Sequence, residues 1–134
     1  ITRNRHKLER KGAIQDYTVI PDFRKMGFEI LALTFVKTRA KILVEEHKER
    51  TRKYFAKFPN VIFAYDGMGI GMTGVIISLH RNFTDYQKQL NKMRVDLKEV
   101  IEDTQTFIVA IGEGEYKKLS LAHLGDMPWE NFLV

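Results

Sequence analysis

The chain has 134 residues, a net charge of +5 and no cysteine, which admits one domain with an appendage and excludes a disulfide framework, a thiolate metal site and a cysteine nucleophile. No stretch approaches the roughly 18 uninterrupted apolar residues of a membrane span, and no signal-peptide pattern opens the chain, so the sequence reads as a cytoplasmic protein without a membrane partner. The charge is unevenly placed: residues 1–11 hold Arg3, Arg5, Lys7, Arg10 and Lys11 against the single acid Glu9, and a short positive stripe of this kind suits a phosphate backbone.

Residues 1–11 read as a helix. Ile1, Arg5 and Leu8 share one face, no Gly or Pro intervenes, and Gly12 sits where a C-cap belongs. No capping residue precedes Ile1, so the chain is expected to start inside a larger unit. Gln15–Ile20 alternates polar and apolar residues as a strand does, and Pro21–Gly27 reads as a turn stopped by glycine. Ile30–Val36 is apolar on both faces, which suits a central strand covered by helices on one side and by a partner sheet or subunit on the other. From about Ile42 to Phe58, Val44, Thr51, Tyr54, Phe55 and Phe58 recur at helical spacing among charges, with Pro59 and Asn60 as the stop. Val61–Tyr65 and Val75–Leu79 read as two strands joined by a glycine-rich link, Asp66–Gly74. Phe83, Tyr86, Leu90, Met93 and Leu97 mark a second amphipathic helix, with Thr84 and Gln87 fitting a capping box. Thr104–Ile111 supplies a fourth strand. The order is βαββαβ, which predicts an α+β, ferredoxin-like domain: four antiparallel strands with both helices on one face. The tail after Ile111 carries Trp129 and Phe132 and is expected to pack.

Several constellations carry no chemistry. Gly69–Gly74 spells G-x-G-x-x-G, but a dinucleotide fingerprint must open a helix, and Val75, Ile76 and Ile77 favour a strand. Glycine there serves a tight hairpin. His6, His47, His80 and His123 show no ligand spacing, so no metal site is expected. Glu45, Glu46, Glu102 and Asp103 read as solvated charges, no nucleophile setting is recognisable, and the chain is expected to be neither an enzyme nor the holder of a cofactor. The basic helix is different. Arg and Lys can anchor phosphates and reach guanine edges while Asn and Thr serve other bases, and Thr2, Arg3, Asn4, Arg5, Lys7, Arg10 and Lys11 provide that set, with Leu8 and Ile14 turned inward.

Taken together, ITRNRHKLERKGAI and QDYTVIPDFRKMGF resemble the end of the recognition helix, the wing and the linker strand of the Lrp/AsnC (leucine-responsive, or feast/famine) transcription regulators. Arg5, Leu8, Gly12, Ile14, Tyr17, Thr18, Gly27 and Phe28 carry the resemblance. The first two helices of that winged helix-turn-helix are missing here, the usual Asp-Pro of the turn is inverted to Pro21-Asp22, and Gly74 stands where these proteins commonly place an aspartate. The resemblance implies that residues 1–28 belong to a DNA-binding unit, 29–111 to a ligand-binding and assembly domain, and 112–134 to a packing tail. It implies double-stranded DNA as partner, a homodimer or higher oligomer, and a small-molecule effector such as an amino acid. The strands at Tyr17, Thr18, Val19 and Ile20 would pair across a two-fold axis. Met68, Gly69, Ile70, Gly71, Met72, Thr73 and Gly74 would line an effector pocket. A stand-alone ferredoxin-like sensor or assembly module without DNA binding is the alternative.

Overall fold

The computed structural model describes residues 2–40, 44–128 and 131, with side chains from Arg5 in the first helix and from Glu45 in the second. The calls on Ile1, on Ile42, on Trp129 and Phe132, and on the side chains of Thr2, Arg3, Asn4 and Val44 lie outside the described residues. Residues 23–114 form one compact unit, and residues 1–22 together with 115–134 form another.

In the larger unit the elements follow as β1 (Ile30–Thr38), α2 (Val44–Phe55), β2 (Val61–Gly69), β3 (Met72–His80), α3 (Phe83–Asp96) and β4 (Ile101–Ala110). The four strands make one antiparallel sheet in the order β2-β3-β1-β4. This is the ferredoxin-like arrangement that the alternation of periods predicts. Because side chains alternate across a strand, the pairing of Thr34 with Ile76 and with Thr106 assigns Val36, Thr34, Ile76 and Thr106 to one face. Both helices pack there: Tyr54 of α2 and Met93 of α3 share a core with Ile76, Leu97, Val100 and Ile101, and Val36 and Val61 close its edge. Burial of these side chains stabilises the unit by about 1.5–3 kcal/mol each. The two helices are also cross-linked, since the Tyr54 hydroxyl donates to Asp96 at 2.8 Å and Arg50 donates to the Asp96 carbonyl at 3.1 Å.

Local chemistry explains the boundaries. The turn after Pro21 ends as a Schellman motif, with Gly27 N–H donating to Arg24, Phe28 N–H donating to Phe23, and Gly27 at φ 94°, a conformation glycine reaches without a Cβ clash. The helix α3 starts two residues earlier than the Thr84 box implied. Asn82 is its N-cap and accepts from the Asp85 N–H at 2.8 Å, since an Asn side chain caps as well as a Thr one. The glycine-rich link is shorter than expected: β2 runs to Gly69 and β3 starts at Met72, leaving only Ile70 and Gly71 as the turn, both at positive φ, as a two-residue I′ hairpin requires. Two register shifts against β3 put two extra residues into β2, one between Val61 and Phe63 and one between Asp66 and Gly69.

In the smaller unit, α1 (Thr2–Arg10) ends in a second Schellman motif: Gly12 N–H donates to Glu9, Ala13 N–H donates to Leu8, and Gly12 has φ 73°. Gln15–Ile20 forms no strand in the single chain. A strand exists through its ladder, and this segment has no neighbouring strand among the described residues. Its apolar side chains face solvent, with Tyr17 at 63 % and Val19 at 78 % exposure. A short 3₁₀ helix, Leu121–Asp126, follows in residues 115–134, capped by Ser120.

Candidate functional site

The basic helix shows an exposed Arg5, Arg10 and Lys11, while Leu8 and Ile14 are half-buried as their spacing predicts. Arg5 is held by Glu9 one turn later at 3.5 Å. The Tyr17 hydroxyl donates to the same carboxylate oxygen, and this bond raises the Tyr17 phenol above its ordinary value. Sequence reasoning gave Tyr17 a place in a strand; the structure gives it a second contact, through Glu9, with the arginine face of the helix.

At the hairpin the seven expected ligand residues divide. Met68 and Ile70 project into solvent, at 97 % and 69 % exposure, whereas Met72 is buried. Thr73 is tied to the end of β1: its hydroxyl accepts from the Thr38 N–H at 3.0 Å, pairs with the Thr38 hydroxyl at 3.1 Å and donates to the Val36 carbonyl at 3.3 Å. Gly74 is a close-approach glycine, because a Cβ there would lie 3.1 Å from Val36 Cγ2 and 3.3 Å from the Tyr65 carbonyl oxygen. A Cβ at this position would need these neighbours to give by a few tenths of an ångström.

Beside this hairpin lies a cleft that sequence reasoning missed. Its volume is about 470 Å³, within the ~300–1,000 Å³ of small-molecule sites. The end of β1 (Val36, Thr38), the hairpin strands (Ala64–Asp66, Gly74–Ile76) and the approach to β4 (Leu97, Val100, Ile101) form the floor and back. The remaining wall is one side of α2: His47, Lys48, Thr51, Arg52 and Phe55. The sequence places Thr51 and Phe55 on the apolar stripe of this helix and gives His47, Lys48 and Arg52 no site role. The signal that could have found them is that His47 and Thr51 extend the stripe of Phe55 at i, i+4 spacing, with Lys48 and Arg52 as its flank. His47 Nδ1 and the Thr51 hydroxyl are 3.4 Å apart, and Arg52 pairs with Glu49 at 3.4 Å. Lys48 is half-buried and has no ion partner among the described residues.

Polar groups under the helices are satisfied and look structural. Thr34, Ser78 and His80 are buried. The Ser78 hydroxyl meets His80 Nε2 at 2.7 Å, and the Tyr86 hydroxyl bridges Thr34 and Thr106. Burial holds His80 below its usual value and Asp85 opposes this, so the ring is kept neutral against the edge of Tyr86. No cluster of three or more metal-ligating side chains occurs among the described residues, and no helix is long and apolar enough to cross a membrane.

Within the larger unit, neither α2 nor α3 lies on the opposite face of the sheet. The register assigns Leu33, Phe35, Phe63, Tyr65, Val75, Ile77 and Phe107 to this side. Phe63, Tyr65 and Phe107 are 41 %, 67 % and 64 % exposed, and Phe63 and Tyr65 stack with centroids 4.7 Å apart.

The larger unit is thus an antiparallel β2-β3-β1-β4 sheet with α2 and α3 on one face and apolar side chains on the other, a ferredoxin-like layout. The chain is similar to a solved AsnC family transcriptional regulator from Agrobacterium tumefaciens, at 18% identity and TM-score 0.67, over 92% of this chain and 77% of that one. It is similar to a transcriptional regulator from Neisseria meningitidis solved in complex with L-Met, at 16% identity and TM-score 0.68 over the same shares. It also resembles LrpC of B. subtilis, at 21% identity and TM-score 0.63, over 87% of this chain and 74% of that one. No family model and no curated protein matches the chain. The fold is thus that of solved Lrp/AsnC regulators, and the likeness read from the N-terminal residues holds at the level of fold.

Proposed function

We propose that the chain is the effector-sensing and assembly part of a cytoplasmic DNA-binding transcription regulator of the Lrp/AsnC type, without a catalytic role. Residues 1–28 would contribute to the DNA-reading end, 29–111 would sense and assemble, and 112–134 would pack as a tail. The observation that carries this reading is the likeness over 92% of the chain, which is too long to be contained in the sheet unit and takes in part of what flanks it. The bare sheet face supports the assembly half. Several large apolar side chains in one patch, each contributing about 1.5–3 kcal/mol when buried, are characteristic of a surface that meets a partner, and a second copy presenting the same face gives a closed two-fold pair. The linker residues Tyr17–Ile20, unpaired in the single chain, would gain a ladder from the same residues of the second copy. A two-fold pair holds two basic helices at a fixed spacing, as palindromic DNA sites require. The neighbour bound to L-Met supports a small amino acid as effector near the hairpin, which would act only through its difference in affinity for two arrangements.

The test is a titration of duplex DNA at several salt concentrations. Each phosphate contact contributes about −0.9 to the log–log slope, so a slope of about −3 or steeper is expected, reduced by roughly one unit in Arg5→Gln. A slope near zero would leave a sensor module and remove DNA from the reading.

A further inference from the structure

The cleft between α2 and the hairpin strands has a chemistry of its own. Its floor is apolar, from Val36, Ile76, Leu97 and Ile101. Every cation among its described lining residues, Lys48 and Arg52 with His47 beside them, comes from α2. The acids of that helix, Glu45, Glu46 and Glu49, are not among its lining residues; the one carboxylate among the described lining residues is Asp66, on β2. We infer that this cleft is a binding site for a small organic carboxylate with a branched or aromatic apolar body and no α-ammonium group.

The charge layout decides the class. A half-buried lysine without an ion partner beside an apolar floor attracts an anion strongly, because the low local dielectric that penalises a bare charge also strengthens its pairing. The Thr51 hydroxyl, one turn from Lys48 on the same wall, can donate a further hydrogen bond to the bound carboxylate. The guanidinium of Arg52 has only an exposed partner, Glu49, and such surface pairs hold weakly, so it is available as a second donor. In an α-amino acid the ammonium is one carbon removed from the carboxylate and would stay on the α2 side with these cations, whereas Asp66, the one carboxylate among the described lining residues, belongs to β2. An alkanoate avoids that repulsion and can lay its chain on Ile76, Leu97 and Val36. A volume of about 470 Å³ accommodates a body of this size. The inference rests on the reading of the chain as a sensor, and names a ligand class for a wall of the domain which that reading leaves unused.

Calorimetric titration of the purified protein with isocaproate, L-leucine and isocaproamide tests it, because the three share one apolar body and differ only in the ammonium or the carboxylate charge. Isocaproate is expected to bind at least about tenfold more tightly than either of the others, and Lys48→Gln to weaken it by about tenfold or more, as loss of a charge-assisted hydrogen bond does. A thermal melt of Lys48→Gln at the wild-type midpoint confirms that the variant is folded; Arg52→Gln, at an exposed position, provides an independent loss of the same binding. Equal or tighter binding of L-leucine, no binding of isocaproate at millimolar concentration, or isocaproate binding unchanged in both variants overturns the inference. The DNA titration stands apart: a steep salt slope with no isocaproate binding rejects the cleft and keeps the regulator, and the converse rejects the regulator and keeps the cleft.

Discussion

The two faces of the sheet are built from alternate residues of the same four strands, yet they solve opposite problems. The helix-covered face buries polar groups, His80, Ser78 and Thr34, and every one has a partner, with no buried side-chain donor or acceptor left unsatisfied among the described residues. The bare face presents Phe63, Tyr65, Phe107 and the half-buried Leu33, Phe35, Val75 and Ile77, with hardly a polar atom among them. Covered surface can accommodate polarity once its hydrogen bonds are closed. Exposed apolar surface of this composition is characteristic of a surface that meets a partner. The comparison teaches that exposure in one chain is a poor guide to what a residue is for.

Substitutions sharpen the contrast. Leu97→Ala, at 3 % exposure in the core cluster, should cost about 2–5 kcal/mol of unfolding free energy through lost burial and a cavity, read by urea denaturation. Phe107→Asp on the bare face should leave the fold of the single chain close to intact but weaken self-association by two orders of magnitude or more, about 3 kcal/mol, because it would place an unpaired charge in an apolar contact; sedimentation equilibrium measures this. An unchanged association constant would mean that the bare face is not the contact. Gly74→Ala should destabilise by roughly 1–3 kcal/mol as its Cβ presses on Val36 and the Tyr65 carbonyl, a moderate overpacking effect.

A pH effect distinguishes the covered face as well. Burial lowers the His80 pKa, so the unfolded chain takes up the proton first. Stability that is present above the ordinary histidine range of about 6.5 should fall as the pH drops below it and level off once the folded ring is also protonated. Urea melts across that range should show this dependence in the wild type and lose it in His80→Gln. The smallest effect is expected at Tyr17→Phe, which removes one exposed bond to Glu9 and should change DNA affinity by no more than a few-fold.

Much of this was legible from periodicity. The apolar run in β1 and the three-four spacing of Tyr86, Met93 and Leu97 gave the element order, and Gly12 and Gly27 marked their turns because only glycine reaches positive φ cheaply. The doubly apolar strand 30–36 likewise signalled a face without helices. What escaped was set by tertiary contacts. Asp66, Gly67, Met68 and Gly69 are weak strand formers, and β3 holds them in a ladder despite that. Phe83 lies at the apolar spacing of α3 but is 49 % exposed, since it sits in the first turn beyond the core. The α2 wall of the cleft was hidden because Lys48 and Arg52 look like any solvated charges until the hairpin is seen beside them. Gln15–Ile20 has strand alternation but no partner strand among the described residues, and a strand exists only through its ladder.

The proposed pairing of two copies through the bare face and the proposed DNA contact of the basic helix are tested together by one measurement: the salt dependence of duplex binding by Phe107→Asp beside that of the wild type. Two heads acting together should give the wild type about twice the slope of the dissociated variant, since the slope counts phosphates contacted. Equal slopes for a variant shown to be monomeric, or a flat slope for the wild type, would contradict the proposal.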